Sequence, residues 1–575
     1  MIRKLLPCLG KYNIYAILAP ITVIGEVLLE MYIPLLMSKI IDIGIKNSDI
    51  GYIMKTGGLM VLMAIISLAL GALSGRFAAV ASTGLAKGIR RKLFHKIQDF
   101  SFANIDRFST ASLITRITTD VNHTQIAFMM AIRIMVRAPI MLISATIMAI
   151  SINSRLSLVF FFAIPLLATA LWLIGSRAFP YFRKMLKKMD YMNATIQENL
   201  IAIRIVKAFV RKDYENDKFT EAATVLKNAQ KKAEKILILN MPIMTFTMNA
   251  SIIAIIWFGG HFIIGGTMQA GEFFSFITYV TQVLISLMMI SMIFVQIVLS
   301  RASVSRIVEV FDEQLDITDD NADIGLNVED GSIVFENVSF SYAKDASNLT
   351  LTDIDLNIKS GETVGIIGGT GSAKTTLVQL IPRLYDVFDG RILVGGHDIR
   401  DYRLNTLRDA VAMVLQNNVL FSGTIKDNLK WGKEDATDEE IVGVSKAAQA
   451  HDFIMSFPDG YETNLGQGGV NVSGGQKQRL CIARALLKKP RIIILDDSTS
   501  AVDTATDSKI RMAFRNNLKD TTTIIIAQRI ASVCEADKII VLNDGRVDAV
   551  GTHEELLAGN RIYREVYESQ QKGVA

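Results

Sequence analysis

The 575-residue sequence is poor in cysteine, in net charge and, over six long stretches, in charged side chains of either sign. Its three cysteines, Cys8, Cys481 and Cys534, lie too far apart for a disulfide framework or a zinc site. The formal net charge of +5 is small for this length and argues against a nucleic-acid partner. Basic loops beside membrane spans account for the excess. Charged residues make up 20% of the chain and hydrophobic ones 50%, with a mean hydropathy of +0.33. Those values point to lipid contact. The first apolar stretch is too long for a signal peptide and lacks a cleavage site. The length exceeds what one domain usually holds.

What is present divides near residue 330. Six apolar stretches at 14–40, 55–82, 127–151, 156–178, 238–264 and 272–299 are each long enough to cross a bilayer. The connections after the second and fourth stretches are long and basic, the latter carrying 13 Lys and Arg between Arg183 and Lys235. Basic loops stay in the cytosol, which places the N-terminus and the C-terminal half there too. The segments 84–99 and 189–210 are helical in pattern and predict spans continuing past the membrane. Beyond an acidic stretch, short β-branched runs, Gly-rich turns and helical segments alternate as in a soluble α/β domain. The expected architecture is an all-α six-helix transmembrane domain (1–310), a linker (311–330) and an α/β phosphate-loop nucleotide-binding domain (331–575).

Charges inside the membrane half attract attention because they are costly there. Glu26 and Glu30 lie one helical turn apart in the first span, and Arg133 and Arg137 likewise in the third. The glutamates are expected to line a cargo cavity. The arginines either join them or reach for lipid headgroups.

The α/β half carries the chemistry. Gly368-Gly369-Thr370-Gly371-Ser372-Ala373-Lys374-Thr375-Thr376 follows the apolar run Val364–Ile367 and precedes a helical run. That is a phosphate-binding loop between strand and helix. Lys374 would reach the β and γ phosphates of ATP, and the Thr375 hydroxyl would ligate Mg²⁺. Ala373 stands where glycine is usual, and the methyl group matters only if that residue needs positive φ. Farther on, the apolar run Ile492–Leu495 ends in Asp496, a carboxylate for the Mg²⁺ shell. Between the two lies Val472-Ser473-Gly474-Gly475-Gln476-Lys477-Gln478-Arg479, whose serine and glycines at a helix N-terminus would present donors to a phosphate.

These last residues closely resemble the signature sequence of ABC ATPases. The resemblance implies further roles, position by position. Tyr342 resembles the aromatic that stacks on adenine. Gln416 resembles the glutamine that senses Mg²⁺ and the attacking water. Ser500-Ala501-Val502-Asp503 resembles the D-loop. Six spans with long cytosolic loops and one C-terminal cassette resemble the half-transporter layout of type IV exporters. In that family the segment 203–219 corresponds to a loop ending in a short helix that docks on the partner's cassette, and the loop near 104–109 docks similarly.

Two positions depart from the family pattern. Asp497 stands where the family has the Glu that acts as base, one methylene shorter. Gln528 stands where the family has the switch histidine, and it cannot carry imidazolium charge. Ser473, Gly474, Gly475 and Gln476 are intact. The pattern resembles the degenerate-site chain of a heterodimer, which needs a second half-transporter carrying Glu and His at these two positions. The expected cargo is a small hydrophobic or amphipathic compound exported across a bacterial plasma membrane. A homodimeric exporter of lipid or peptide, or an importer on the same fold, is the alternative.

Overall fold

The computed structural model describes residues 2–320, 322–497, 503–517 and 520–572. The chain forms two compact units, residues 1–98 with 109–313, and residues 99–108 with 314–575.

The first unit is helical. Its main elements are α1 (Asn13–Lys39), α2 (Ile50–Gln98), α4 (Val121–Ile152), α5 (Leu158–Ile201), the short α6 (Ile203–Ala208), α7 (Lys212–Leu237), α8 (Asn240–Ile264) and α9 (Ala270–Asp312). The seven-residue α3 (Phe102–Phe108) belongs to the second unit. Among the described residues six helical stretches are long and apolar enough to cross a membrane, and the six predicted spans fall on them. They are apolar on most faces, so lipid and neighbouring helices both find hydrocarbon there. The segment 189–210 is not one helix. It breaks at Ala202 (φ −89°, ψ 11°), and Val210 takes a left-handed φ of +55°, so the chain can turn back from α5 into the antiparallel α7.

The first and last spans are stitched together. α1 runs into a π-helical turn, Ile40–Ile45, in which the Asp42 carboxylate accepts the backbone N–H groups of Gly271 (2.7 Å) and Glu272 (3.0 Å) at the start of α9. These N–H groups have no intrahelical partner, so the carboxylate caps the helix. One and two turns further along α9, Ser275 donates to the Pro34 carbonyl and Tyr279 to that of Met31 at 2.7 Å. At the other end Lys4 pairs with Asp312 at 2.6 Å.

Among the described residues the second unit holds a two-residue pairing of Gly423–Thr424 with Asn464–Leu465 and two larger sheets. The strands are β1 (Ile333–Phe340), β2 (Leu351–Ile358), β3 (Thr363–Gly368), β4 (Asp389–Val394), β5 (His397–Asp398), β6 (Val411–Val414), β7 (Ile492–Asp496), β8 (Thr522–Ile526), β9 (Lys538–Asn543) and β10 (Arg546–Gly551). An antiparallel sheet has the order β2-β1-β4-β5, and the larger sheet has the order β10-β9-β3-β8-β7-β6. All of the latter's pairings are parallel except β9 with β10. β7 is buried at every residue, which explains its unbroken aliphatic run. The acidic stretch after α9 is anchored, with Ile317 buried and the Asp323 N–H bonded to the Asp401 carbonyl.

Candidate nucleotide site

In a parallel sheet all strand C-termini face one edge, and ligands bind there. Four neighbouring strands, β3, β8, β7 and β6, end abreast, with Ile526 paired to both Ile366 and Asp496 and Val414 paired to Leu495. The loops leaving them carry the phosphate loop, Gln528, Asp496 with Asp497, and Gln416. Sequence positions spread over more than a hundred residues thus converge by register alone.

The phosphate loop is tightly wound. A Cβ on Gly368 would meet the Leu542 carbonyl oxygen at 2.2 Å, so the close approach requires glycine. Ala373 sits at φ +68°, ψ 24°, the left-handed region. A side chain there costs about 1 kcal/mol relative to glycine. Ala373→Gly is therefore expected to stabilise the cassette by up to about 1 kcal/mol, the unfolded-chain entropy of glycine offsetting part of the gain. A higher thermal midpoint checks this, and a lower one refutes it. Lys374 opens α10 (Lys374–Leu380), and its Nζ lies 2.9 Å from the Gly368 carbonyl, 2.7 Å from that of Gly369 and 3.3 Å from Ser372 Oγ. Burial pulls the lysine pKa down, while the Asp496 and Asp497 charges oppose that shift. Gly371 adopts φ +85° in the same turn.

A magnesium ion suits the oxygens present. Thr375 Oγ1 donates to Asp496 Oδ1 at 3.1 Å, and Asp496 Oδ2 is buried without a hydrogen-bond partner. Burial pushes the Asp496 pKa up, against the Thr375 hydrogen bond. A hydroxyl and an unpaired carboxylate oxygen are hard ligands of the kind Mg²⁺ takes together with phosphate oxygens. Thr375 and Asp496 would hold the ion, with Gln416 on the adjacent strand end, and the ion would neutralise phosphate charge there.

Asp497 and Gln528 meet each other. Gln528 Nε2 donates to Asp497 Oδ2 at 3.0 Å, and Gln416 also hydrogen-bonds the Asp497 carboxylate. Burial raises the Asp497 pKa, with those bonds and the Lys374 charge opposing. The Asp497 backbone is left-handed, φ +49°, which Asp tolerates better than most residues.

The signature residues form a capping box at the start of α11 (Gly474–Leu487). Ser473 Oγ accepts the Gln476 N–H at 3.3 Å, and Gln476 Oε1 accepts the Ser473 N–H at 2.9 Å. The serine hydroxyl keeps its own proton to donate, and Ser473 and Gly474 are exposed. Asp503 caps α12 (Thr504–Asn517) by accepting the Thr506 N–H at 2.9 Å, a bond that lowers its pKa. Ser500, Ala501 and Val502 lie outside the described residues.

Tyr342 follows β1, half exposed. Its hydroxyl lies 3.0 Å from Thr376 Oγ1, and its ring packs edge-on to Phe340 and Tyr385. Sequence reasoning missed Tyr385. Its hydroxyl donates to Asp106 at 2.9 Å and its ring packs on Phe102, both from α3. The loop after the second span therefore rests on this chain's own cassette, against the aromatic cluster that holds Tyr342. No motif marks Tyr385 or Asp106, because only the fold unites residues so distant in sequence.

The membrane charges are also brought together. Arg137 lies between Glu26 and Glu30, with both contacts at 2.6 Å. It pairs with carboxylates rather than reaching for headgroups. Arg133 is exposed and makes no ion pair among the described residues.

Comparison with known proteins agrees with this geometry. The ABC transporter transmembrane region family matches residues 16–304, and the ABC transporter family matches residues 351–500. The uncharacterized ABC transporter ATP-binding protein YfiB of Bacillus subtilis is 38% identical over 99% of this chain and 98% of the relative. The putative multidrug export ATP-binding/permease protein YgaD of the same species is 35% identical, covering 86% and 85%. An ATP-dependent lipid A-core flippase of Syntrophus aciditrophicus is 34% identical, covering 84% and 80%. A bacterial Atm1-family ABC exporter solved with ATP bound superposes with a TM-score of 0.85 at 25% identity, over 98% of both chains. The chain belongs to the ABC transporter family and is an integral-membrane half of an ATP-hydrolysing exporter, one six-helix transmembrane domain and one ABC cassette in a single polypeptide.

Proposed function

We propose that this chain is the degenerate-site subunit of a heterodimeric exporter of hydrophobic or amphipathic compounds. The observation that carries the reading is the Gln528–Asp497 hydrogen bond. A base must reach the attacking water. Here the shorter carboxylate is engaged by Gln528 and Gln416. ATP is held on this chain by Lys374, Thr375 and Tyr342 and turns over slowly. Ser473, Gly474 and Gly475 complete the partner's site, where hydrolysis runs.

Apolar surfaces on each unit support a second chain. The tip of the long loop exposes Ile201, Phe209 and Val210, and the cassette carries a groove lined by Leu415, Val419, Phe421 and Trp431. Each chain's tip enters the other's groove, so that ATP-driven closure of the cassettes reaches the spans. The cargo class is read from the relatives named for multidrug export and for lipid A-core flipping. Glu26 and Glu30 are paired with Arg137, and with Arg133 nearby on the third span the group is polar and neutral overall, suited to an amphipathic cargo. The N-terminus and cassette lie in the cytosol of a bacterial cell and the spans in its plasma membrane.

The test is vanadate trapping of 8-azido-nucleotide in inside-out vesicles carrying the assembled transporter. Trapped label is expected on the partner alone, with untrapped ATP retained on this chain. Trapping on this chain overturns the reading in favour of a homodimer.

A further inference from the structure

The loop that carries Gln528 is braced by the far end of the chain. The C-terminal helix α13 (Arg561–Lys572) presents Tyr563, Val566 and Tyr567 on one face, at the spacing of successive turns. That face packs on Ala527, Ile530 and Val533, the residues following β8. Tyr563 is fully buried, and its hydroxyl lies 2.7 Å from His553 Nδ1. One turn beyond Tyr567, on the same face, stands Gln570. Its Nε2 donates to the Gln528 carbonyl at 2.7 Å, and its Oε1 accepts the Ile530 N–H at 2.9 Å. Only one orientation of the carboxamide satisfies a carbonyl and an N–H together, so the pair of bonds fixes the amide as well as the loop. Arg511 adds a bond further along the loop, to the Ala531 carbonyl, at 2.7 Å.

The consequence falls on Gln528. Its backbone carbonyl is held by Gln570, while its side chain donates to Asp497 at the phosphate edge of the sheet. A loop backbone released from both bonds to Gln570 could shift the Gln528 Cα and carry its side chain away from Asp497. We propose that Gln570 is a positioning residue of the nucleotide site, fixing the switch loop so that Gln528 faces the γ-phosphate. The C-terminal helix thereby takes part in telling ATP from ADP. The inference rests on reading Gln528 as the γ-phosphate contact. It does not depend on whether this chain's site turns over.

The experiment labels this chain in the full complex with 8-azido-ATP or 8-azido-ADP and separates the chains on a gel. Gln570→Glu keeps the size and the acceptor but loses the donor to Gln528. Gln570→Ala loses both bonds. Each is expected to weaken ATP labelling about three- to tenfold, the usual net worth of one or two hydrogen bonds, and to leave ADP labelling unchanged. Gln528→Ala should shift the same ratio, and Gln528→Ala with Gln570→Ala should do no more than the larger single change. If Gln528→Ala leaves the ratio unaltered, the reading of Gln528 fails. If Gln528→Ala shifts the ratio and the Gln570 variants do not, Gln570 has no positioning role. Equal loss of ATP and ADP labelling makes Gln570 a structural strut only and overturns the inference.

Discussion

Changing Gly475 to Asp is expected to cut ATP turnover of the assembled transporter by about 10²–10³-fold, the usual cost of losing a transition-state donor. Changing Asp497 to Asn is expected to cost less than about tenfold, against about 10²–10⁴ for a working base. The asymmetry follows from where the two residues sit. Gly475 lies in the first turn of α11, whose exposed N-terminus is free to meet a phosphate bound by another chain. A carboxylate there replaces donors with negative charge. Ser473→Ala should act in the same direction and also removes the helix cap, which costs about 1 kcal/mol. Asp497, by contrast, already spends its carboxylate on Gln528 and Gln416. Steady-state turnover of the purified complex decides between the sites. Equal loss from Asp497→Asn and Gly475→Asp would mean that this chain hydrolyses ATP itself.

The second large effect belongs to the membrane unit. Arg137→Ala is expected to destabilise the folded protein by about 2–4 kcal/mol, somewhat below the cost of breaking a fully buried pair, because it leaves the largely enclosed Glu26 and the partly exposed Glu30 without their cation. Glu26 and Glu30 both bond Arg137, and the Glu26 and Arg137 side chains are only 14% and 19% exposed. Glu26 is also confined from a third helix, since a Cβ on Gly71 of α2 would lie 2.9 Å from its Oε1. The triple variant Arg137→Leu, Glu26→Gln, Glu30→Gln should recover most of the loss, because neutral groups need no counter-ion. Thermal midpoints in detergent, with the yield of folded protein, measure both. A stable Arg137→Ala protein would show that the pairs contribute little. Transport of lipophilic cations by the triple variant then reports separately on the loss of the carboxylates.

The sequence made the sheet edge legible because its motifs are contiguous. Lys374 and Thr375 follow a strand, Asp496 ends one, and Ser473 precedes a helix, each recognisable from a few neighbours. Hydropathy exposed the spans for the same reason, since crossing a bilayer is a property of consecutive residues. Backbone state was not legible. Nothing around Ala373 announces φ +68°, although the loop pattern marks the position as glycine's. Pairings across the fold were less so. Spacing put Glu26 with Glu30 and Arg133 with Arg137 on shared faces, yet which arginine reaches the glutamates depends on how α1 packs on α4. Tyr385, Asp106 and Gln570 carry no local signature at all, because each acts through a partner more than forty residues away. The break at Ala202 was hidden by an apolar run that reads equally well as helix.

The stitching of the first span to the last has a mechanical meaning. Asp42, Pro34 and Met31 hold Gly271, Ser275 and Tyr279 in sequence along one seam, and Lys4 fastens Asp312 at the opposite terminus. Sliding α1 past α9 by a turn would break the bonds at Asp42, Pro34 and Met31 together, with no graded intermediate. The pair therefore behaves as a single twin-stranded girder. Whatever widens the bundle during a transport cycle must swing other helices against it, and the strain of opening accumulates at their borders with the girder, never inside it.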